Sequence, residues 1–130
     1  MISAILLAAG ESKRMKGENK LIKKIYKEPL IKHSVKNILD SSIDELIIII
    51  GHQSSKIMEI IDKNKKIKFA YNNNYKNGMA SSIKVGLKTL SNKTEAFFIC
   101  LADMPEVKKE IYDKLIKQLK NNKIIVPTYK

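Results

Sequence analysis

Ile2-Ser3-Ala4-Ile5-Leu6-Leu7-Ala8-Ala9-Gly10 opens the chain as an apolar run that stops at a glycine. A strand buried on both faces, as in a parallel sheet, reads this way. It is predicted to be the first, central strand. Further along, Leu46 to Ile50, Ile67 to Tyr71 and Ala96 to Ala102 read as strands too, with a fifth at Ile124 to Val126. Between them lie helical patterns. Leu30, Ile31, Ser34, Val35, Ile38 and Leu39 recur at helical spacing after Pro29, which suits a helix first turn. Ser54 or Ser55 can cap a helix carrying Ile57, Met58, Ile60 and Ile61. Ser81 or Ser82 can cap one with Ile83, Leu87 and Leu90 inward, and Val107, Ile111, Leu115 and Leu119 mark a fourth. Strand and helix alternate from end to end, so residues 1–130 read as a single α/β domain with a mostly parallel sheet and right-handed crossovers.

Composition narrows the class. With 44% hydrophobic and 29% charged residues in 130, the chain can bury a proper core. One cysteine cannot form an internal disulfide, and Cys100, between Ile99 and Leu101, reads as a small core residue rather than a nucleophile. The apolar runs fall well short of the ~18 residues of a membrane span. No basic segment precedes the first run, so a cytoplasmic protein without a membrane partner is expected. The net charge of +12 makes anionic partners plausible. Scattered lysines without aromatic interleaving or zinc-finger spacing favour a solvated basic surface over a nucleic-acid site.

Ligands of open parallel sheets bind beyond the carboxyl ends of the strands. Gly10 to Lys27 is a long polar loop, interrupted by a short strand near Leu21 to Tyr26, and long loops in compact domains are usually functional. Gly10 could supply a positive φ that aims backbone amides at an anion, while Arg14 and Lys20 add a donor fork and a point charge suited to polyphosphate. A simple tight turn is the alternative. Asp103 ends a buried strand and is placed either to hold a hard cation or to cap a helix ahead of Met104-Pro105-Glu106. His33 reads as structural and His52 as a loop histidine.

These strand ends carry Leu-Ala-Ala-Gly-x-Ser-x-Arg-Met (7–15), Gly-x-x-Lys-Leu (17–21) and Pro29-Leu30-Ile31. Asn72, Gly78-Met79-Ala80-Ser81-Ser82-Ile83, Leu101-Ala102-Asp103-Met104-Pro105 and Val126-Pro127 follow in order. The set resembles the nucleotidyltransferases that attach a nucleotide to the molybdenum cofactor. Leu-Ala-Ala-Gly and Gly-Met-x-Ser-Ser resemble their cytidylyltransferase branch. In the guanylyltransferase branch the first motif is usually Leu-Ala-Gly-Gly.

The resemblance implies a Rossmann-like, three-layer α/β/α fold and transfer of CMP from CTP to the terminal phosphate of a molybdopterin-type cofactor, releasing pyrophosphate. A related enzyme using GTP or another acceptor is the closest alternative, and a non-enzymatic basic nucleic-acid-binding module a more distant one. By the same resemblance, Leu7, Ala8, Ala9, Gly10 and Ser12 would wrap the nucleotide, Arg14 and Lys20 hold its phosphates, and Asn72, Gly78 and Ser81 lie near base and ribose. Asp103 would bind Mg2+, and Arg14, Lys20 and Asp103 would carry the catalysis. Lys16 makes the first loop one residue longer than the family pattern. Family members continue past the equivalent of Lys130 into a region holding a second acidic metal ligand and much of the pterin pocket. The resemblance therefore implies a C-terminally truncated domain, with self-association through the uncovered end.

Overall fold

The computed structural model describes residues 1–10, 20–104 and 106–118. Along them run β1 (Ile2–Leu7), β2 (Lys24–Ile25), β3 (Glu28–Pro29), α1 (Leu30–Leu39), β4 (Glu45–Ile50), α2 (Ser54–Ile60) and β5 (Ile67–Tyr71). A short 3-10 turn (Tyr75–Asn77), α3 (Met79–Thr89), β6 (Ala96–Leu101) and α4 (Lys109–Lys117) complete the order. Four strands form one parallel sheet, ordered β5-β4-β1-β6. β1 is central, as its double-sided burial requires. Leu7 pairs with Ile49 on one side and Leu101 on the other. β2 and β3 form a separate antiparallel hairpin. Its turn residues, Tyr26 and Lys27, take φ of 51° and 70°, the positive values of a two-residue hairpin turn.

Alternation along β1 assigns the two faces. Ala4, Leu6 and Ala8 join a core with Leu30, Ile31, Val35 and Ile38 of α1, Ile57 of α2 and Tyr112 of α4. Ile5 and Ala9 point the other way, with Ile47 and Ile49, against Val85 of α3 and Leu90. The result is three layers, with α1, α2 and α4 on one face and α3 on the other. Full burial of a side chain such as Ile31 or Ile38 contributes about 1.5 to 3 kcal/mol. Chain order runs from β1 to β4 and β5 on one side, then returns to the far side of β1 for β6. Ligands of open parallel sheets occupy the crevice expected at such a reversal, here the carboxyl ends of β1 and β6.

Several expectations need correcting. α2 is capped by neither Ser54 nor Ser55: both lie inside the helix, and the cap position is Gln53, in left-handed backbone without a side-chain capping bond. Met58 is exposed, because the short helix turns only Ile57 fully into the core. α3 starts at Met79 with Gly78 at the cap, so Ser81 and Ser82 are helical rather than capping. Its buried residues are Ser82 and Gly86, while Leu87 faces solvent. The reason is distance: a Cβ on Gly86 would stand 2.6 Å from Ile5 Cγ2, so the helix packs through a small residue. Val107 is buried ahead of α4, and the fully buried helical residue is Tyr112. Leu119 and the strand expected at Ile124 to Val126 lie outside the described residues.

The amino edge of the sheet carries a buried acid that the sequence reading passed over. Glu45 Oε1 accepts from Ser3 Oγ at 2.8 Å and from the Ser91 amide at 3.3 Å, and Oε2 pairs with Lys68 Nζ at 2.7 Å. Ser3 gives its one proton to Glu45, so Thr94 Oγ1, 2.9 Å away, donates to Ser3. Burial pushes the Glu45 carboxyl up, but the bonds from Lys68, Ser3 and Ser91 with the Lys68 charge outweigh it and hold it below its usual value.

Candidate functional site at the carboxyl edge

After β1 the chain continues through Ala8 and Ala9, both buried, to the exposed Gly10. The Ala8 amide donates to Ile49 O at 2.9 Å, and the Ala102 amide to Leu7 O at 3.3 Å. These bonds prolong the parallel pairing past the strands on both sides. The His52 amide donates to Ala9 O at 3.0 Å, tying the turn after β4 to the turn after β1. Gly10 does not turn with a positive φ: among the described residues the glycine that does is Gly78, at 96°. What Gly10 supplies is space, since a Cβ there would meet nothing within 4 Å among the described residues.

Asp103 follows β6 across the crevice and is exposed. It makes no hydrogen bond or ion pair among the described residues, and α4 begins six residues later with Lys108 at its cap. The capping reading of Asp103 is therefore excluded for α4. Ser34 Oγ donates to Ala102 O at 2.7 Å, so α1 anchors the backbone immediately before this carboxylate. No three His, Cys, Asp or Glu gather among the described residues. A single exposed carboxylate fits a hard cation that keeps most of its waters.

The turn after β5 is organised from within. Asn72, 2% exposed, directs its two Nδ2 protons at Ser81 Oγ and Ser82 Oγ, each 2.9 Å away, and accepts the Asn74 amide at Oδ1. Ser81 Oγ lies 2.7 Å from Gly78 O and 3.0 Å from Asn74 O, with one proton to share. What the sequence singled out as three contact residues is thus one internal lattice that holds the start of α3. Gly78, exposed and in left-handed backbone, is its outermost member. Gly51 lets this turn approach β4, for a Cβ there would stand 2.9 Å from the Tyr75 side chain.

The remaining candidates divide clearly. Lys20 is exposed at the start of the turn leading to β2, and Leu7 is half-buried on the α3 face. Ser12, Arg14, Lys16 and Pro105 lie outside the described residues. His33 is structural: Nε2 sits 2.6 Å from Ile25 O and the ring packs edge-on to Tyr26, which steadies the hairpin. The His52 ring rests against Tyr75. Burial pushes the Cys100 thiol up to about 12, only partly offset by its bond with Tyr112, so it is an inert core group. Gln53 gave no sequence signal, yet its Oε1 is enclosed without a hydrogen-bond partner among the described residues.

Comparison with known proteins agrees with this layout. The family described as MobA-like NTP transferase domain matches residues 4–130. A probable molybdenum cofactor guanylyltransferase of Methanosarcina mazei is 28% identical over 131 residues, covering 98% of this chain and 57% of the relative. A bifunctional protein GlmU of Aquifex aeolicus is 30% identical over 108 residues, covering 82% of this chain and 23% of that protein. The chain thus spans little more than half the length of the first and about a quarter of the second. A nucleotidyl transferase structure from Methanothermobacter thermautotrophicus superposes with a TM-score of 0.80 at 22% identity, over 90% of this chain and 57% of that one. That likeness establishes the Rossmann-like α/β fold. Since the family match runs from β1 through every described strand end, the chain belongs to the MobA-like NTP transferase domain family.

Proposed function

We propose that this domain binds CTP at the carboxyl edge and serves transfer of CMP to the terminal phosphate of a molybdopterin-type cofactor, with release of pyrophosphate. The observation that carries the reading is the pairing of an open small-residue turn, Ala8-Ala9-Gly10, with a carboxylate, Asp103, that has no partner among the described residues and follows the adjacent parallel strand. In-line attack of the acceptor phosphate on the α-phosphate forms one P–O bond and breaks the bond to pyrophosphate. Positioning and charge neutralisation are the catalytic means. Asp103 would hold a divalent cation, magnesium in this reading, whose charge offsets that of the phosphates when bound. Lys20 and Arg14 would bind the triphosphate, and Ala8, Ala9 and Gly10 let it approach the backbone. Asn72 would act one step removed, by positioning Gly78 and Ser81.

Leu-Ala-Ala-Gly supports cytosine over guanine, since Ala9 stands where the guanylyl pattern has the first of its two glycines. GTP is the second reading, favoured by the name of the Methanosarcina mazei relative. A thermal-shift panel of CTP, GTP, ATP and UTP with magnesium separates them. CTP at ~100 times its dissociation constant should add about 2.7 kcal/mol of stability. GTP stabilising as much or more would overturn the cytidylyl reading and leave the fold untouched.

A further inference from the structure

Gln53 lies three residues beyond β4, beside the turn after β1 to which His52 is bonded. Its backbone takes φ 53° and ψ 39°, a left-handed conformation that favours glycine. The Ser54 amide donates to Gly51 O at 3.2 Å, closing a turn with His52 and Gln53 at its centre. The position keeps a long amide side chain where glycine would cost less, and that side chain does not cap α2. Its Oε1 is shut off from solvent with no hydrogen-bond partner among the described residues. An enclosed, unpaired acceptor is costly, and native proteins retain few of them.

We propose that Gln53 is a specificity contact for the nucleoside half of the nucleotide, its Oε1 accepting a hydrogen bond from an N–H or O–H donor of base or ribose. This inference rests on the nucleotide reading of the carboxyl edge. A carbonyl oxygen repels phosphate oxygens, which directs the triphosphate towards Lys20 and the cation that Asp103 would hold and leaves the donor-bearing nucleoside for Gln53. Oε1 is enclosed in the free chain, so a rotation of the Gln53 side chain brings it to that donor as the ligand binds.

Calorimetric titration of the full chain with CTP, UTP, 2′-deoxy-CTP and 3′-deoxy-CTP, in magnesium, tests it on wild type, Gln53→Met and Gln53→Gly. Methionine keeps the volume without the acceptor, and glycine relieves the backbone, so both variants should melt no lower than wild type. Both should bind CTP about five- to tenfold more weakly. The ligand that lacks the partnering donor should lose affinity on wild type but not on the variants. UTP in that role identifies the base amine, and a deoxy analogue the ribose hydroxyl. Wild-type binding of CTP that neither variant weakens overturns the role of Gln53 alone. A wild-type chain that no triphosphate binds overturns the nucleotide reading as well.

Discussion

β4 has a polar side chain near each end, and the two are in opposite states. At the amino end, the Glu45 carboxylate is met by Ser3, Lys68 and the Ser91 amide. Beyond the carboxyl end, Gln53 Oε1 is enclosed and unmet among the described residues. The contrast extends along both edges of the sheet. The amino edge also pairs Asp44 with the Ile2 amide and Thr94 with Ser3. Among the described residues, the carboxyl edge leaves Asp103 unengaged and Gly10 open. The amino edge closes these polar groups on each other and so stabilises the fold, whereas the carboxyl edge, beside the satisfied Asn72 network, holds Gln53 Oε1 and the Asp103 carboxylate without a partner among the described residues. Substitutions should therefore sort by edge, into those that change stability and those that change binding.

The largest effect is expected at Glu45. Glu45→Ala removes three charge-assisted bonds from a buried position and should lower stability by about 3 kcal/mol in urea unfolding. Nucleotide affinity of the folded fraction should not change. The carboxyl is held below its usual value, so its contribution is present above the unfolded pKa and is lost as pH falls through the folded one. Wild type should therefore lose stability progressively below about pH 4.5, and Glu45→Gln should flatten that dependence. An equal acid slope in both proteins would assign the acid sensitivity to other carboxylates.

Gly86→Ala sharpens the contrast from the helix side. Alanine favours a helix interior by about 1 kcal/mol over glycine. Here its methyl would stand 2.6 Å from Ile5 Cγ2, in a side chain that is fully buried and cannot give way. Overpacking should dominate, for a net loss of about 2 kcal/mol in the same assay. Leu87→Ala, on the exposed side, should stay within about 0.5 kcal/mol.

The same position shows where sequence reading reaches and where it stops. β1 and β4 are legible because burial on both faces writes a continuous apolar run. α1 is legible because one face writes a stripe. α3 meets the sheet through Ser82 and Gly86, so the residues nearest the core are the least hydrophobic, and the stripe points instead to Leu87. At the site, Gly10 and Asp103 are legible from their place after strands, a one-dimensional fact. Asn72 sits in such a place too, but its amide bonds to Ser81 and Ser82, nine and ten residues on. Glu45 and Gln53 leave no trace in composition or spacing. A buried acid depends on partners brought from β1, β5 and the α3–β6 turn, and an orphaned oxygen depends on a left-handed residue that no glycine marks.

Asp103→Asn should leave the unfolding curve unchanged, since no hydrogen bond or ion pair among the described residues depends on the charge. Magnesium-dependent CTP affinity should fall roughly tenfold, or about 1.4 kcal/mol. Titration with and without the metal reads this directly. A variant that loses stability and keeps its metal dependence would move Asp103 from the binding class to the structural one.

The smallest change in stability should come from Gly10→Ala. The added methyl meets nothing within 4 Å, and the backbone there has no positive φ to strain. Restricting the unfolded chain should even stabilise the domain slightly, by roughly 0.5 kcal/mol. In the free protein the substitution is therefore close to silent. It occupies the space through which a phosphate would approach the Ala8-Ala9-Gly10 backbone, so CTP should bind a few-fold more weakly while the melting temperature holds or rises. Weaker binding without destabilisation separates an open turn kept for a ligand from one that is merely tight, because a tight turn would lose stability first. Unchanged affinity together with unchanged stability would mean that the nucleotide passes elsewhere along the edge, and the approach to the phosphates would then belong to the side of the crevice that carries Asp103.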